Sequence, residues 1–457
     1  MSQKSPNRFD DILPLIDKWV LYQLYYAQIP GIAIGIIEDG KVIFKKEYGY
    51  ANLEDKIELT DQHLFLCASH AKLFTASAIL QLHSENKLEL NDYISKYLSW
   101  FKSEKDSNLE KITILNLLTH TSGIAADVYR FDGDCWNYPD LEELKTQIQA
   151  GISCYEVDSK IKYSNIGYII LGSIIEQISG IRYSEYIQRN IFDPLQMKNS
   201  YVDITPENHT QLASGYYAWY PNKDRFSPPK AKAGAYASAG GLISNVEDLL
   251  KFYQAHFLGN NTLFNDSIKI KMQEIHVQKE NERRGLGFAI GNFPMGQKIC
   301  YINGGAPGFK SHSGIIQQEK IAIVVLTNAL DAPDFSLFLG ISEFLNLILT
   351  KREEFGDNLG ICINPEENLE NKSGFYESPY GIFLIGKIQN RLMAFNMESW
   401  NPAQFPCVFQ YLEDGKYTGS VQLPFMKEGE SIQFIKKTED KYALLGCDGV
   451  EIKKFEF

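Results

Sequence analysis

The chain has 457 residues, of which 44% are hydrophobic and 22% charged. This composition is typical of globular proteins, and the length predicts at least two compact units. The net charge of −12 argues against nucleic acid as a partner, because a phosphate-binding surface needs an excess of Lys and Arg. The seven cysteines are widely spaced and form no Cys-x-x-Cys pair, so neither a disulfide framework nor a zinc site is indicated.

The start of the chain does not read as a signal peptide, because acidic residues and Pro14 interrupt its apolar residues. No later stretch has the roughly 18 consecutive apolar residues that a membrane-spanning helix needs. We therefore expect a cytoplasmic protein without a membrane span, and export by another route stays open.

The chain begins with apolar residues that recur three and four positions apart, and this pattern predicts an amphipathic helix over about 8–27. Two strand-like runs, GIAIGII and KVIFKKEYGY, flank Glu38-Asp39-Gly40, which is a hairpin signal. A helix is predicted from Ser69 to about Leu82. The segment 92–245 reads mostly as helices and loops, including a helix over 165–179 that ends at Gly180.

The following segments complete a first domain. Ser244 and Glu247 form a capping-box pattern ahead of a helix. The runs KSHSGIIQQE and KIAIVVLTNA predict adjacent strands, and a helix follows over about 335–354. Strands at both ends with helices between them predict an α/β domain over 1–355 with a helical insertion over about 92–245. Pairing of the first and last strands would close its sheet.

The composition changes after about residue 360. The polar, turn-rich run INPEENLENKSG predicts a linker, and short alternating runs follow it. They predict a separate all-β domain over 366–457, either a sandwich or a barrel. This domain would either shape the substrate cleft or mediate assembly, and we expect it to fold on its own.

The motif Ser69-His70-Ala71-Lys72 is the first pattern that indicates chemistry. Residues three apart on a helix lie about 5–6 Å from each other, so the lysine could help to deprotonate the serine, which is otherwise a poor nucleophile. The preceding run FLCA and the small residues that follow indicate a buried helix, and burial lowers a lysine pKa. Taken alone the motif is weak, since Ser-x-x-Lys occurs by chance in most proteins of this size and an exposed helix face is the better explanation of a lone match.

Two further patterns fit the same chemistry. In Tyr163-Ser164-Asn165 the phenol could act as a general base, while the amide could hold the lysine and the substrate. The glycine-rich run at 303–309 would let a substrate backbone approach, and it offers N–H groups for an oxyanion hole. Alone, these would read as a tyrosine packed at a helix start and a plain turn.

The three motifs in this order resemble the class C β-lactamase-like serine hydrolases, a family that includes D-alanyl-D-alanine carboxypeptidases, D-aminopeptidases and carboxylesterases. Similar segments include IPGIAIGIIEDGKVIF, NLLTHTSGI, IFDPLQMKNSYV and SAGGLISNVEDLLKF, so the likeness covers about 28–350. The residues from about 374 resemble the β-rich C-terminal module of some members. The resemblance implies an α/β (α+β) fold of β-lactamase/transpeptidase type, with an antiparallel sheet flanked by helices.

The resemblance also implies the site residues and a two-step acyl transfer. Ser69 would be the nucleophile, Lys72 would assist its deprotonation, and Tyr163 would act first as base and then as acid. The substrate would lie against Asn165, Ile302, Asn303, Gly304 and Gly305, and the N–H groups of Ser69 and Gly305 would form the oxyanion hole. No cofactor and no metal are implied. Both His70 and His120 are expected to be structural rather than catalytic.

One position departs from the family pattern. Ile302 stands where members usually carry Lys or His, and isoleucine cannot pair with a substrate carboxylate. This favours a serine hydrolase acting on small esters or D-amino-acid peptides, with β-lactams as a further substrate class. Two alternatives stay open, namely a non-catalytic binding or sensor protein and an exported housekeeping β-lactamase. The partner would be a small molecule or short peptide, and the oligomeric state is not indicated.

Overall fold

A computed structural model describes residues 7–127, 130–132, 135–292, 297–349 and 369–455, the last range with gaps at 379–380, 389–390, 400–401, 404–405, 413–415, 420–430, 439–440 and 446–450. The chain divides into two compact units, Gln28–Asp334 and Met1–Ala27 together with Phe335–Phe457. The predicted boundary at 355–366 lies outside the described residues and stays a prediction. The helices near the two ends of the predicted first domain belong to the same compact unit as the C-terminal strands, and not to the unit that contains the rest of that domain.

The helices are α1 (Leu13–Tyr26), α2 (Ala71–Ser84), α3 (Ile114–Leu118), α4 (Leu141–Ala150), α5 (Asn165–Ser179), α6 (Tyr183–Ile187), α7 (Asp193–Leu195), α8 (Pro206–His209), α9 (Ala237–Gly240), α10 (Val246–Ala255), α11 (Asp266–Gln273) and α12 (Asp334–Leu349). The strands of the larger unit are β1 (Gly31–Glu38), β2 (Lys41–Asn52), β3 (Ile57–Glu58), β4 (Phe65–Ala68), β5 (Arg130–Asp132), β6 (Cys135–Asn137), β7 (Leu242–Ser244), β8 (Val277–Lys279), β9 (Glu282–Arg284), β10 (Ala289–Asn292), β11 (Lys298–Ala306), β12 (Phe309–Ile316) and β13 (Ile321–Thr327). The strands of the smaller unit are β14 (Gly374–Ser378), β15 (Gly381–Ile388), β16 (Arg391–Asn396), β17 (Cys407–Tyr411), β18 (Lys416–Gly419), β19 (Ile432–Thr438), β20 (Lys441–Leu445) and β21 (Glu451–Phe455).

A nine-stranded sheet in the order β3-β2-β1-β13-β12-β11-β10-β9-β8 forms the larger unit's framework. The predicted pairing of first and last strands is confirmed, since β1 runs antiparallel to β13 with Ile32 opposite Thr327. The predicted hairpin turns at Asp39 and Gly40, whose φ angles are 42° and 84°. Positive φ at both turn residues matches the twist of the two strands that they join.

The helices between the sheet strands have identifiable ends. Helix α5 has the predicted bounds, with the Ser164 hydroxyl accepting from the Gly167 N–H at its start and Gly180 at φ 74° after its end. The predicted capping box at Ser244 is displaced by one residue, because Ser244 ends β7 and the Asn245 side chain caps α10. Asparagine is among the strongest capping residues, so it takes the position instead.

The smaller unit contains a closed barrel of eight strands, β14 to β21 in sequence order. Strand β14 pairs with both β15 and β21, which settles the alternatives of sandwich and barrel. In the same unit, Trp19 of α1 makes an edge contact with Phe344 of α12 at 6.0 Å between ring centroids. Gln23 of α1 donates to the Met397 carbonyl at 3.1 Å. No helix of the described ranges is both long and apolar enough to cross a membrane.

Candidate active site

The predicted nucleophile lies in a sharp turn between β4 and α2. The turn begins at Ala68, whose φ of 49° is unusual for a residue with a Cβ atom. Ser69 follows, half-buried, and the first residue of α2 is Ala71. The sequence predicted a helix starting at Ser69, but the backbone turns first, so the hydroxyl projects at the helix end rather than from its side.

Lys72 lies in the first turn of α2, inside the core of the larger unit, and only 1% of its surface is exposed. Its ammonium donates to Ser69 Oγ at 3.1 Å, to Asn165 Oδ1 at 2.6 Å and to the Ala239 carbonyl at 2.6 Å. All three donors of a lysine are thereby used. Burial lowers the pKa of Lys72 to about 7, and the more distant charge of Asp127 acts against that shift. The amine is therefore partly neutral near pH 7.

Tyr163 completes the contacts of the serine. Its hydroxyl lies 2.7 Å from Ser69 Oγ, and the residue as a whole is 38% exposed. Burial raises the pKa of Tyr163 to about 12, while the hydrogen bond with Ser69 opposes the shift. The His120 ring packs against this ring at a tilt, with centroids 4.6 Å apart, and its Nδ1 accepts from the Ser164 N–H. Burial lowers the pKa of His120, so the ring is neutral and fixes the segment, which is the structural role expected for it.

Asp127 and Tyr236 extend the hydrogen bonds beyond Asn165. Asn165 Nδ2 donates to Asp127 Oδ1 at 2.5 Å, and the Tyr236 hydroxyl donates to the same oxygen at 3.1 Å. The amide orientation is fixed as a result, with its oxygen toward Lys72 and its nitrogen toward the carboxylate. Neither residue was found from the sequence, because no motif contains them and both come from connecting segments.

Strand β11 carries the third motif along one side of the nucleophile. Asn303 and Gly305 line the cleft, whereas Ile302 is 8% exposed and belongs to the hydrophobic core. Gly304 faces the nucleophile turn, where a Cβ atom would lie 2.3 Å from the Cys67 carbonyl oxygen. Strand alternation therefore places Asn303 and Gly305 on the cleft side of β11, and it places Ile302 and Gly304 in packing positions.

His70 joins the nucleophile turn to the next strand, β12. It is 1% exposed, with Nδ1 at 3.0 Å from the Cys67 carbonyl and 3.1 Å from Ser311 Oγ. Its Nε2 makes a short contact with Ser313 Oγ. Burial lowers the pKa of His70 to about 3, so the ring is neutral, as expected for a structural residue.

These residues surround a cleft of about 490 Å³. It is lined by Ala68, Ser69, Tyr138, Tyr163, Asn165, Tyr236, Gly240, Arg284, Asn303, Gly305, Ala306, Pro307, Lys310 and Leu330. Arg284 and Lys310 were not found from the sequence, because neither residue belongs to a recognised motif. No group of three or more histidine, cysteine or carboxylate side chains that could hold a metal ion occurs in the described part of the chain.

Comparison with known proteins agrees with this geometry. The family described as Beta-lactamase matches residues 20–340. Protein flp of Staphylococcus aureus strain MW2 is 34% identical over 317 residues, which are 68% of this chain and 62% of that protein. The Staphylococcus aureus protein Teichoic acid D-alanine hydrolase is 31% identical over 246 residues, covering 54% of this chain and 57% of that protein. The chain thus spans less than two thirds of these relatives.

A solved structure shows the same fold. The octameric penicillin-binding protein homologue from Pyrococcus abyssi superposes with a TM-score of 0.66 at 24% identity, covering 96% of this chain and 99% of that chain. The fold is of the β-lactamase/transpeptidase type, and the sequence resemblance is confirmed. The chain belongs to the Beta-lactamase family.

Proposed function

We propose that the protein is a serine hydrolase that forms an acyl-enzyme on Ser69. The observation that carries this proposal is the position of Ser69 Oγ, 3.1 Å from Lys72 Nζ and 2.7 Å from the Tyr163 hydroxyl, at the wall of an open cleft. A serine hydroxyl gains nucleophilicity when an adjacent base removes its proton. Two such groups are within hydrogen-bond reach here.

Lys72 is the better base of the two in the free protein. Its pKa of about 7 leaves a neutral amine available at neutral pH, whereas Tyr163 with a pKa of about 12 stays protonated. In this mechanism the Ser69 proton passes to Lys72, and the Tyr163 hydroxyl donates to the leaving group. The N–H groups of Ser69 and Gly305 would stabilise the oxyanion. Water then attacks the acyl-enzyme with the two roles reversed: Tyr163 accepts the proton of the water, and Lys72 returns a proton to Ser69.

The proposed substrates are small esters and D-amino-acid derivatives, including D-alanyl esters. The relative named Teichoic acid D-alanine hydrolase supports this class, because its name describes removal of D-alanine. The core position of Ile302 supports it as well, since the cation that family members usually carry there is replaced by an apolar side chain. β-Lactams are a second class to be tested beside the esters.

Intact-mass spectrometry after incubation with a fluorophosphonate tests the proposal. One adduct per chain is expected on the wild type and none on Ser69→Ala, because only an activated serine reacts with this reagent. A parallel incubation with a penicillin shows whether β-lactams acylate the same residue. If folded wild-type protein acquires no mass from either reagent, the chain is a non-catalytic binding protein and the proposal fails.

The Asp127→Asn variant is expected to shift the pH dependence of ester hydrolysis. The Asp127 charge raises the pKa of Lys72 against the larger effect of burial, so its removal lowers that pKa further. Because the neutral amine is the active form, the rising acid limb of kcat/KM should move to lower pH. The asparagine oxygen can still accept from Asn165 and Tyr236. A pH–rate profile that is unchanged or moves to higher pH would contradict the assignment of this limb to Lys72.

A further inference from the structure

Three polar groups surround the carbonyl oxygen of Cys67, two residues before the nucleophile. They are the backbone N–H of His70 with a nitrogen-to-oxygen distance of 3.2 Å, His70 Nδ1 at 3.0 Å and Ser311 Oγ at 3.1 Å. A carbonyl oxygen has two lone pairs, so three donors use its accepting capacity fully. The peptide plane between Cys67 and Ala68 is therefore held both from β12 and from the residue that precedes α2.

The neighbours of the His70 ring determine which of its nitrogens carries the proton. Ser311 Oγ donates its single proton to the Cys67 carbonyl, so both polar atoms next to Nδ1 can only accept from it. Nε2 is then the acceptor, and it takes the hydroxyl proton of Ser313. Burial lowers the pKa of His70 to about 3, which keeps a second proton off the ring.

Tyr253 of α10 continues this chain of hydrogen bonds away from the cleft. Its hydroxyl lies 2.8 Å from Ser313 Oγ, and burial raises the pKa of Tyr253, so the phenol keeps its proton and donates it. Tyr253, Ser313 and His70 are each at most 1% exposed. The hydrogen bonds thus run in one direction, from Tyr253 through Ser313 to His70. A buried network in which each donor has an acceptor is rigid, and this one fixes the tautomer of the imidazole.

The backbone that this network holds is in a sparsely populated conformation. Ala68 has a φ of 49°, which a residue with a Cβ atom adopts only where its surroundings enforce it. Ala68 lies between the held Cys67 carbonyl and the N–H of Ser69, which the proposed mechanism uses for the oxyanion. A rotation of the peptide plane before Ala68 would therefore redirect both this N–H and the Ser69 hydroxyl.

We propose that His70 is a positioning residue for the nucleophile, because its Nδ1–H fixes the Cys67 carbonyl and thereby the direction of the Ser69 N–H. The inference rests on the proposed hydrolase function, and it assigns an effect on rate to a side chain that does not line the cleft. The oxyanion forms only after the substrate has bound. Loss of the Nδ1–H should therefore lower kcat and kcat/KM equally and leave KM unchanged.

Asparagine and glutamine at position 70 separate the roles of the two ring nitrogens. The amide nitrogen of asparagine is as many bonds from Cα as Nδ1, so His70→Asn can still donate to the Cys67 carbonyl but no longer reaches Ser313. The amide of glutamine is as many bonds from Cα as Nε2, so His70→Gln reaches Ser313 but loses the donor to Cys67. Packing alone predicts that asparagine is the more harmful change, because the smaller side chain leaves the larger cavity.

Steady-state hydrolysis of 4-nitrophenyl acetate compares the two variants. The kcat of His70→Gln is expected to fall about 10–100-fold, as for a displaced or lost oxyanion donor, and that of His70→Asn less than about fivefold. His256→Asn and His256→Gln are the matched controls, because His256 is also buried and has Nδ1 at 2.8 Å from a backbone carbonyl, that of Phe252. They should lower the melting temperature without changing kcat. A glutamine variant at position 70 that is as active as the asparagine variant would overturn the proposal.

Nuclear magnetic resonance observes the proton and the turn without any turnover. The two nitrogens of a neutral imidazole have well separated ¹⁵N shifts, and the His70 signals are those that disappear in His70→Asn. At pH 7 the wild-type ring is expected to carry its proton on Nδ1, and a proton on Nε2 would contradict the proposed role. The amide resonance of Ser69 should keep its wild-type position in His70→Asn and move in His70→Gln.

Different results would overturn the two proposals. If the wild type hydrolyses no ester and takes up no fluorophosphonate, the hydrolase proposal fails, and the Ser69 amide resonance still decides whether His70 fixes the turn. If the wild type is active but both variants at position 70 lose kcat equally, His70 is not a positioning residue and the hydrolase proposal stands.

Discussion

Replacing Lys72 by methionine should lower kcat/KM for ester hydrolysis by about a thousandfold, since a positioned general base contributes roughly 10²–10⁴. Methionine matches the lysine stem in length but cannot accept the Ser69 proton. It also removes the donor that holds Asn165 Oδ1 at 2.6 Å. The measurement is steady-state hydrolysis of 4-nitrophenyl acetate alongside fluorophosphonate labelling, which reports the acylation step alone.

The same variant should lose a pH dependence of stability that the wild type has between about pH 10 and 7. The pKa of Lys72 falls from 10.5 to about 7 on folding, so the unfolded chain binds its proton more tightly than the folded one. Lys72 therefore reduces the stability as the pH falls from about 10 to 7, and the full penalty remains below pH 7. Methionine removes the penalty because it carries no charge. Thermal unfolding across this pH range tests the sign.

Lys72→Arg is the control that keeps a positive charge at position 72 but removes the ability to accept a proton. A guanidinium stays protonated at every accessible pH, so this variant should be inactive like the methionine variant. It should also be destabilised, because its buried charge cannot be neutralised. An arginine variant with near wild-type activity would show that a positive charge is sufficient at position 72, and the assignment of Lys72 as the base would be wrong.

Gly304→Ala is expected to have the largest effect on stability among single-methyl changes at the site. The new Cβ would lie 2.3 Å from the Cys67 carbonyl oxygen and 2.5 Å from Ser311 Oγ, so β11 must move away from the nucleophile turn. Overpacking of this kind costs about 1–3 kcal/mol. For a unit of this size the melting temperature should fall by roughly 2–6 °C. A displacement of about 1 Å at a catalytic site costs about 10²-fold in rate.

Gly305→Ala, one residue later, is the matched control. A Cβ there would meet only the Lys310 side chain, at 3.8 Å, which is an ordinary van der Waals contact. The melting temperature of this variant should equal that of the wild type. If both alanine variants melt at the same temperature, the close approach of β11 to the nucleophile turn does not constrain the site.

Elements that a continuous segment of the chain specifies were predictable from the sequence. The helix over 165–179 was predicted with its actual bounds, because Ser164 and Gly180 are standard start and stop residues around an apolar spacing. The pairing of β1 with β13 was also predicted, since both strands are buried runs that need partners on either side. An α/β domain and a β-rich C-terminal region followed from such patterns, whereas the β-lactamase type of the fold was implied by the resemblance of the three motifs to the family.

Contacts between segments that are far apart in the sequence were not predictable. Tyr236, Arg284 and Lys310 line the same cleft and Asp127 bonds to Asn165 beside it, but no recognised sequence motif contains any of the four. The nucleophile turn was also missed, because the left-handed backbone at Ala68 reflects packing against β11 rather than the propensity of alanine. Similarly, the packing of α1 with α12 is set by Trp19 and Gly340, which lie far apart in the chain.

The pairing of β1 with β13 has a consequence for the synthesis of the chain. Ile32 and Thr327 are about 300 residues apart, yet they are neighbours in the middle of the sheet. Contacts of such long range are slow to form, because the intervening chain must be ordered before they contribute. During translation β1 leaves the ribosome early as an apolar strand whose edge lies open until β13 emerges. An open apolar edge is prone to aggregation, so the nascent chain depends on chaperones or on early packing of α10 against β1.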